Sequence, residues 1–353
     1  MEKILSDIFA QFKVEDTFVS YSVIEQGNIN KTYRINGIKN DYILQKINNF
    51  VFRDIEGLMS NITRILAHTE KKYPGKMQIK VYPTKSGESF LHSDGEYWRL
   101  INFIPSVTYM VSPNKETVYK TGKAFGEFQK DLADFPAEEL TETIPGFHNT
   151  RRRLEKLFAD EKEDKVGRVK EVKDELDYIR SVFDDAVMMI DMQARGELPI
   201  RVTHNDTKIN NVLFDTETGN PICIIDLDTV MPSLVGNDFG DAVRFACNTV
   251  EEDCPDTDKI SFDLETFEAF TKGFLSETKN TLTKNEIDTL GRSAFTLTLE
   301  LAVRFLDDYI VGDEYFKINY PEHNLVRTRA QIALAKDIMA KRTEIERIIH
   351  ENS

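Results

Sequence analysis

Apolar residues at Ile4, Leu5, Ile8, Phe9 and Phe12 recur at helical spacing, so residues 1–14 are predicted to open the chain as an amphipathic helix. From Thr17 to about Val51 the pattern changes to short, β-rich runs. Tyr21-Ser-Val-Ile, Lys31-Thr-Tyr-Arg-Ile and Tyr42-Ile-Leu-Gln-Lys-Ile predict three strands, broken at Glu25-Gln-Gly-Asn-Ile-Asn and Asn36-Gly-Ile-Lys-Asn-Asp. Residues 54–72 return to helical spacing. Ile79-Lys-Val-Tyr-Pro, Ser89-Phe-Leu-His and Tyr97-Trp-Arg-Leu-Ile-Asn-Phe-Ile then add two or three strands, with turns at Ser86-Gly and Asp94-Gly.

After Pro105 the pattern is mainly helical, with helices predicted over 115–134, 150–161, 168–195, 262–278, 284–310 and 324–350. One β-rich island, residues 199–230, interrupts them. The fold class is therefore α+β in two lobes: an antiparallel-sheet lobe over residues 1–104 and a mainly helical lobe over 105–353.

Composition narrows the function classes. A chain of 353 residues suits two packed lobes, and 41% hydrophobic residues supply their cores. A net charge of −15 argues against a nucleic-acid backbone as partner, which demands a basic surface. Cys223, Cys247 and Cys254 have no metal-ligand spacing and read as buried, reduced thiols. The N-terminus lacks the apolar core of a signal peptide and no run approaches a membrane span, so a soluble, cytoplasmic, monomeric protein is expected.

The island carries the chemistry. Leu198-Pro-Ile-Arg-Val-Thr leads into His204-Asn-Asp; Asn211-Val-Leu-Phe-Asp and Pro221-Ile-Cys-Ile-Ile-Asp226 then predict two antiparallel strands folded about Thr218 and Gly219. Asn211 and Asp226 are equally far from that turn and are expected to face each other. An amide oxygen beside a carboxylate suits octahedral Mg²⁺, which prefers few protein oxygens together with phosphate. Asp206 stands five residues before Asn211 on the entering loop. The spacing H-x-D-x-x-x-x-N, followed by an aspartate at the end of the next strand, is the phosphoryl-transfer template: a base for the acceptor hydroxyl and two metal ligands. ATP and Mg²⁺ are the implied cofactors.

At these residues the chain resembles the aminoglycoside phosphotransferase and choline kinase superfamily, and within it the bacterial N-acetylhexosamine 1-kinases. The resembling stretches are Arg201-Val-Thr-His-Asn-Asp-Thr-Lys-Ile-Asn-Asn211, Ile224-Ile-Asp-Leu-Asp-Thr-Val-Met-Pro232, Asp238-Phe-Gly-Asp-Ala-Val-Arg-Phe245 and Tyr320-Pro-Glu-His-Asn-Leu-Val-Arg-Thr-Arg329. Weaker likeness covers Gly27-Asn-Ile-Asn-Lys-Thr-Tyr33 and Tyr42-Ile-Leu-Gln45, so that nearly the whole chain takes part. The resemblance implies a protein-kinase-like two-lobe fold and phosphorylation of the anomeric hydroxyl of N-acetylglucosamine or N-acetylgalactosamine. It implies Asp206 as base, Asn211 and Asp226 as Mg²⁺ ligands, Asp228 near the sugar or the metal, and Arg304 and Tyr315 as sugar contacts. A different small alcohol as acceptor, or a nucleotide-binding pseudokinase, are the rival readings. For Arg304, pairing with Asp307 or Asp308 is the structural alternative.

The nucleotide side departs from the protein-kinase template. Only Gly27 stands where a glycine-rich loop has three glycines, with Asn30 and Thr32 as further polar candidates for phosphate. Gln45 falls in the slot of the phosphate-binding lysine. Lys46 is adjacent but belongs to the other face of a regular strand, and a one-residue bulge would bring it back. Glu56 is the nominal lysine partner. Asn102-Phe-Ile-Pro105 is the predicted hinge, where the backbone of Asn102 and Ile104 offers an edge to adenine. Asp238, Asp241 and Arg244 are expected to brace the catalytic loop, and His148 to be a capping or core histidine.

Overall fold

The computed structural model of the chain describes residues 1–25 and 29–353. In chain order the elements are α1 (Glu2–Phe9), β1 (Phe18–Ile24), β2 (Lys31–Gly37), β3 (Asp41–Ile47), α2 (Ile55–Lys72), β4 (Val81–Tyr82), β5 (Leu91–Ser93), β6 (Glu96–Asn102), α3 (Lys115–Asp131), α4 (Thr150–Glu163), α5 (Lys173–Ser181), α6 (Phe183–Ala194), β7 (Arg201–Thr203), β8 (Val212–Phe214), β9 (Pro221–Ile224), α7 (Val235–Ala246), α8 (Leu264–Thr278), α9 (Lys284–Val311), α10 (His323–Ala340) and α11 (Arg342–Asn352). They form two compact units. The first comprises Met1–Thr108, Asp134–Pro145 and Val212–Pro232; the second comprises Tyr109–Ala133, Gly146–Asn211 and Ser233–Ser353.

The first unit is built on an antiparallel sheet of order β1-β2-β3-β6-β4, with β5 on the other end of β6. Alternation along its strands separates two faces. Tyr33, Ile35, Tyr42, Leu44, Trp98 and Leu100 point to one face and bury against Leu5, Ile8 and Phe9 of α1. Thr32, Gln45 and Arg99 belong to the opposite face. Phe12 was expected inside the first helix, but α1 ends at Phe9, and Phe12 instead bridges to Thr84, where the ring is fully buried. α2 starts at an Asp54 cap, whose carboxylate accepts from the Gly57 N–H at 2.8 Å.

The β8–β9 hairpin completes this unit. Its turn places Gly219 at φ 62°, a left-handed conformation that glycine adopts without a Cβ clash. Val107 and Phe214 exchange two backbone hydrogen bonds of 2.9 Å, tying the hairpin to the segment that leaves β6. The register differs from the symmetric one expected. Val212 pairs with Ile224 and Leu213 with Cys223, and the ladder shifts between Leu213 and Phe214, so Asp226 stands one residue further along than the symmetric hairpin predicts. The bulge inserts Ile222 into β9 and leaves Asp226 one residue nearer the symmetric position than an unbroken ladder would.

In the second unit, α9 is the central helix, started by a Thr283–Glu286 capping box and packed against α4, α6, α7, α10 and α11. α3 packs on α8, with Gly122 and Gly126 of one and Gly273 of the other at backbone contact. Two expected helices are each divided. The 168–195 helix breaks at Val182 into α5 and α6, and the 324–350 helix breaks at Lys341, whose ammonium donates to Ser261 Oγ at 2.7 Å and to the Phe262 carbonyl at 2.9 Å. α7 was not foreseen as a helix. Its Gly, Asn and Asp content gives it weak helix propensity, but every residue from Val235 to Arg244 is buried. Tertiary packing overrides the local propensity there. Phe239 sits among Phe267, Phe270 and Phe274 at ring distances of 5.8, 5.6 and 5.3 Å, and Gly240 lies directly against the Ser293 carbonyl. The Asp-Phe-Gly triplet is therefore a helix-packing feature.

Candidate active site

In the second unit, β7 delivers the chain into a short loop that ends in a 3-10 turn, Ile209–Asn211. Asn205 takes φ 62°, an uncommon left-handed value for a non-glycine residue. Three features hold it. His204 is fully buried, edge-on to Phe125 and Phe128 with ring centroids at 5.8 Å. The Asp238 carboxylate accepts from the backbone N–H groups of His204 and Asn205 (2.9 and 2.7 Å) and from the Gln129 amide (2.7 Å). Asp241 accepts from the Thr207 N–H at 3.0 Å and from Arg244 at 2.8 Å. Asp238 and Asp241 thus brace the loop, as expected, with Arg244 neutralising Asp241. Burial pushes the Asp238 carboxyl above its ordinary range against these donors. Burial acts on Asp241 in the same sense, but Arg244 and Lys208 outweigh it and hold that carboxyl low.

The loop presents Asp206. Its side chain is half-buried, and Oδ2 accepts from Asn211 Nδ2 at 3.0 Å; the same amide nitrogen also donates to the Asp206 carbonyl at 2.8 Å. Both amide hydrogens of Asn211 are therefore used. Its amide oxygen has no donor among the described residues, which leaves it available as a hard oxygen ligand. Lys208 lies 3.3 Å from Asp206 Oδ1, and the nearby carboxylate raises the lysine pKa.

In the first unit, Asp226 follows β9, exposed and in the left-handed region at φ 59°. Among the described residues no group of three or more His, Cys, Asp or Glu side chains could hold a metal ion. Taken by itself, the Asp226 carboxylate in this unit is a hard oxygen donor, as the Asn211 amide oxygen is in the other, and each is of the kind that Mg²⁺ takes.

Asp228 lies two residues beyond Asp226 and is 3% exposed. Its carboxylate accepts from Asn30 Nδ2 at 2.6 Å and pairs with Arg99, itself 4% exposed. Arg99 Nε donates to Gln45 Oε1 at 2.8 Å, and Gln45 Nε2 donates to Thr32 Oγ1 at 3.1 Å. Asn30 Oδ1 accepts from the Asn48 N–H at 2.9 Å. Asn30, Thr32, Gln45 and Asp228, singled out separately in the sequence, thus form one hydrogen-bonded network. Gly27 lies outside the described residues.

No bulge returns Lys46 to this face. β3 keeps unbroken register with both neighbours, Thr32 opposite Gln45 and Gln45 opposite Arg99, and Lys46 pairs with Glu96 on the other face. At the predicted hinge, Asn102 pairs with Tyr42, and its side-chain oxygen accepts from the Lys80 N–H at 2.6 Å. The Ile104 carbonyl accepts from Ser106 Oγ at 2.9 Å, while its N–H has no acceptor among the described residues.

On α9 of the second unit, Arg304 has no ion pair among the described residues. Asp307 takes Lys156 at 2.5 Å, and Asp308 accepts the N–H groups of Tyr315 and Phe316 at 2.8 and 2.9 Å. The guanidinium stands instead 5.6, 5.9 and 5.4 Å from the ring centres of Phe147, Tyr315 and Phe316. Tyr315 is 70% exposed. His148 Nδ1 meets the buried Glu300 at 2.9 Å, while its buried Nε2 has no hydrogen-bond partner among the described residues.

Two cations escaped the sequence reading. Lys208 stands inside the motif, two residues after Asp206, where a near-helical turn returns its ammonium to the aspartate. Arg99 carries no motif; only the β3–β6 register, one residue opposite Gln45, identifies it.

These two units define a protein-kinase-like fold, an antiparallel-sheet N-lobe with a helical C-lobe. A sequence model of the phosphotransferase enzyme family matches residues 20–263, and the chain belongs to that family. Solved structures agree in fold. A microcompartment-associated aminopropanol kinase is 14% identical with a TM-score of 0.67, covering 98% of each chain. A spectinomycin phosphotransferase in complex with ADP and spectinomycin is 13% identical with a TM-score of 0.55, over 94% of this chain and 98% of that one. A choline kinase from Cryptosporidium parvum is 12% identical with a TM-score of 0.58, over 98% of each. No helix among the described residues is long and apolar enough to cross a membrane.

Proposed function

We propose that the protein is an ATP-dependent small-molecule kinase that phosphorylates the anomeric hydroxyl of N-acetylhexosamines. The observation that carries the kinase reading is the held yet half-exposed Asp206, with the Asn211 amide oxygen left without a donor beside it. In this reading Asp206 takes the proton of the acceptor hydroxyl as its oxygen bonds to the γ-phosphorus and the bond to the β–γ bridging oxygen breaks, releasing ADP. Asn211 and Asp226 would hold Mg²⁺, which when bound neutralises charge on the phosphates. Lys208 adds positive charge beside the base. Residues 1–104 take the nucleotide, with Asn102 and Ile104 at the adenine edge and Asn30, Thr32 and Gln45 toward phosphate. Residues 105–353 supply the rest, Gly27 being a further candidate on the nucleotide side.

Arg304 supports the choice of acceptor. A guanidinium ringed by aromatic side chains and without an ion pair among the described residues repels an ammonium and suits a neutral sugar with hydroxyl and acetamido oxygens. Arg304 and Tyr315 are assigned to the sugar, and Asp228 is the third acceptor candidate. A soluble, cytoplasmic monomer acting without nucleic acid or membrane completes the reading.

The test is a screen of ADP release over N-acetylglucosamine, N-acetylgalactosamine, choline, ethanolamine and aminopropanol, with Asp206→Asn as control. Turnover on the two hexosamines that is lost in the variant is expected. Turnover confined to the amino alcohols would overturn the acceptor assignment, and turnover on none would favour a pseudokinase.

A further inference from the structure

We infer that Arg99, contributed by β6, supplies the cation for the nucleotide phosphates that β3 does not carry; the inference rests on the ATP-binding part of the proposed function. A phosphoryl-transfer site has to neutralise charge on a triphosphate, and the strand position that would offer a lysine holds Gln45. Lys46 is unsuited, because it lies on the α1 side of the sheet and pairs with Glu96. Arg34 shares the face of Gln45 but is committed to Asp41 and stacks 4.0 Å above the Phe103 ring. Arg99 stands directly across the ladder from Gln45, on the same face, with its charge buried.

Its hydrogen bonding is incomplete. Nε donates to Gln45 and Nη1 to Asp228, while Nη2 has no acceptor among the described residues. A guanidinium brings five donors in a planar fork, so one edge can be fixed by protein while another meets phosphate oxygens. Gln45 then has a definite role. Its amide oxygen orients Arg99, and its amide nitrogen is anchored on Thr32. A lysine at position 45 would place a second cation against Arg99, so the glutamine and the arginine form a matched pair.

The competing possibility is that Arg99 only balances the buried Asp228. Comparison of ADP with adenosine separates the two, because the ligands differ only in the phosphates. Wild-type protein should bind ADP well above adenosine by calorimetry. Arg99→Gln should weaken ADP by roughly tenfold to a hundredfold and leave adenosine within about twofold. Arg99→Lys should fall between, keeping charge but losing the fork. Equal losses for both ligands, or no loss for either, would overturn the inference. Where Arg99→Gln does not fold, a crystal structure of wild-type protein with ADP decides. A guanidinium nitrogen within about 3.2 Å of a phosphate oxygen supports the assignment, and one beyond hydrogen-bond reach refutes it. Wild-type protein with no preference for ADP would refute the nucleotide reading as well, whereas a preference that survives Arg99→Gln refutes this inference alone. Neither result depends on which acceptor is phosphorylated.

Discussion

Asp206 and Asp228 are carboxylates of the same motif region held in opposite ways. Asp206 is positioned by its own loop: Asn211, five residues on, and Lys208, two residues on, are its side-chain partners, and its side chain keeps 30% of its exposure. Asp228 is fixed by residues 129 and 198 positions away in sequence, Arg99 and Asn30, and is almost completely buried. An open carboxylate on a braced loop keeps lone pairs for a substrate proton. A buried one with a guanidinium partner is a constant charge, and removing either partner strands the other in a medium that solvates it poorly. The local arrangement therefore leaves its carboxylate accessible, and the long-range one fixes its carboxylate in place.

Substitution to asparagine tests that contrast directly. Asp206→Asn should lower kcat by roughly 10²- to 10⁴-fold, the usual contribution of a general base, while the unfolding free energy changes by less than about 1 kcal/mol. Turnover assays and urea unfolding measure the two. Asp228→Asn should do the reverse in stability, losing about 3–5 kcal/mol because Arg99 stays buried without its counter-charge. If urea unfolding finds the two variants equally stable, the contrast fails.

A third carboxylate sharpens the comparison through pH. Asp307 shares Lys156 with Asp160, and burial together with Asp160 pushes its pKa up to about 6, while Lys156 opposes the shift and Asp160 is held low. A carboxyl raised in the folded state binds its proton more tightly there than in the unfolded chain. Its stabilising contribution is thus present below the ordinary range near 3.8 and is lost as pH rises through about 6. Between about pH 4 and pH 7, wild type should lose stability relative to Asp307→Asn. A stability difference that stays flat across this window would show that the pair ionises independently. The smallest effect is expected at Lys46. Its pair with Glu96 is partly exposed, so Lys46→Ala should cost at most about 1 kcal/mol and leave ADP affinity unchanged. A large loss of ADP affinity would return the phosphate cation to β3.

Elements with a clear period were legible before folding. β2, β3 and α2 appear close to their expected bounds because alternation or helical spacing coincides with which side is buried, and α9 does so over a long run that starts at a capping box. α7 was illegible for a different reason: its Gly, Asn and Asp are poor helix formers, and its buried aspartates are tolerated only because His204, Asn205, Thr207, Gln129 and Arg244 satisfy them. The break at Lys341 also answers to neighbours distant in sequence, Ser261 and Phe262.

The chain's own order determined the Asp206–Asn211 loop, since five residues of backbone suffice to bring the amide onto the carboxylate, and spacing alone encodes that distance. It determined likewise that position 45 of β3 carries a glutamine. Tertiary structure decided which cation stands beside that glutamine. Only the pairing of β3 with β6 sets Arg99 there, and only the folding of the β8–β9 hairpin onto the same unit brings Asp228 to Arg99. Strand register is fixed by the summed burial of a whole face and not by any one residue, so contacts made across it are invisible until the sheet has formed.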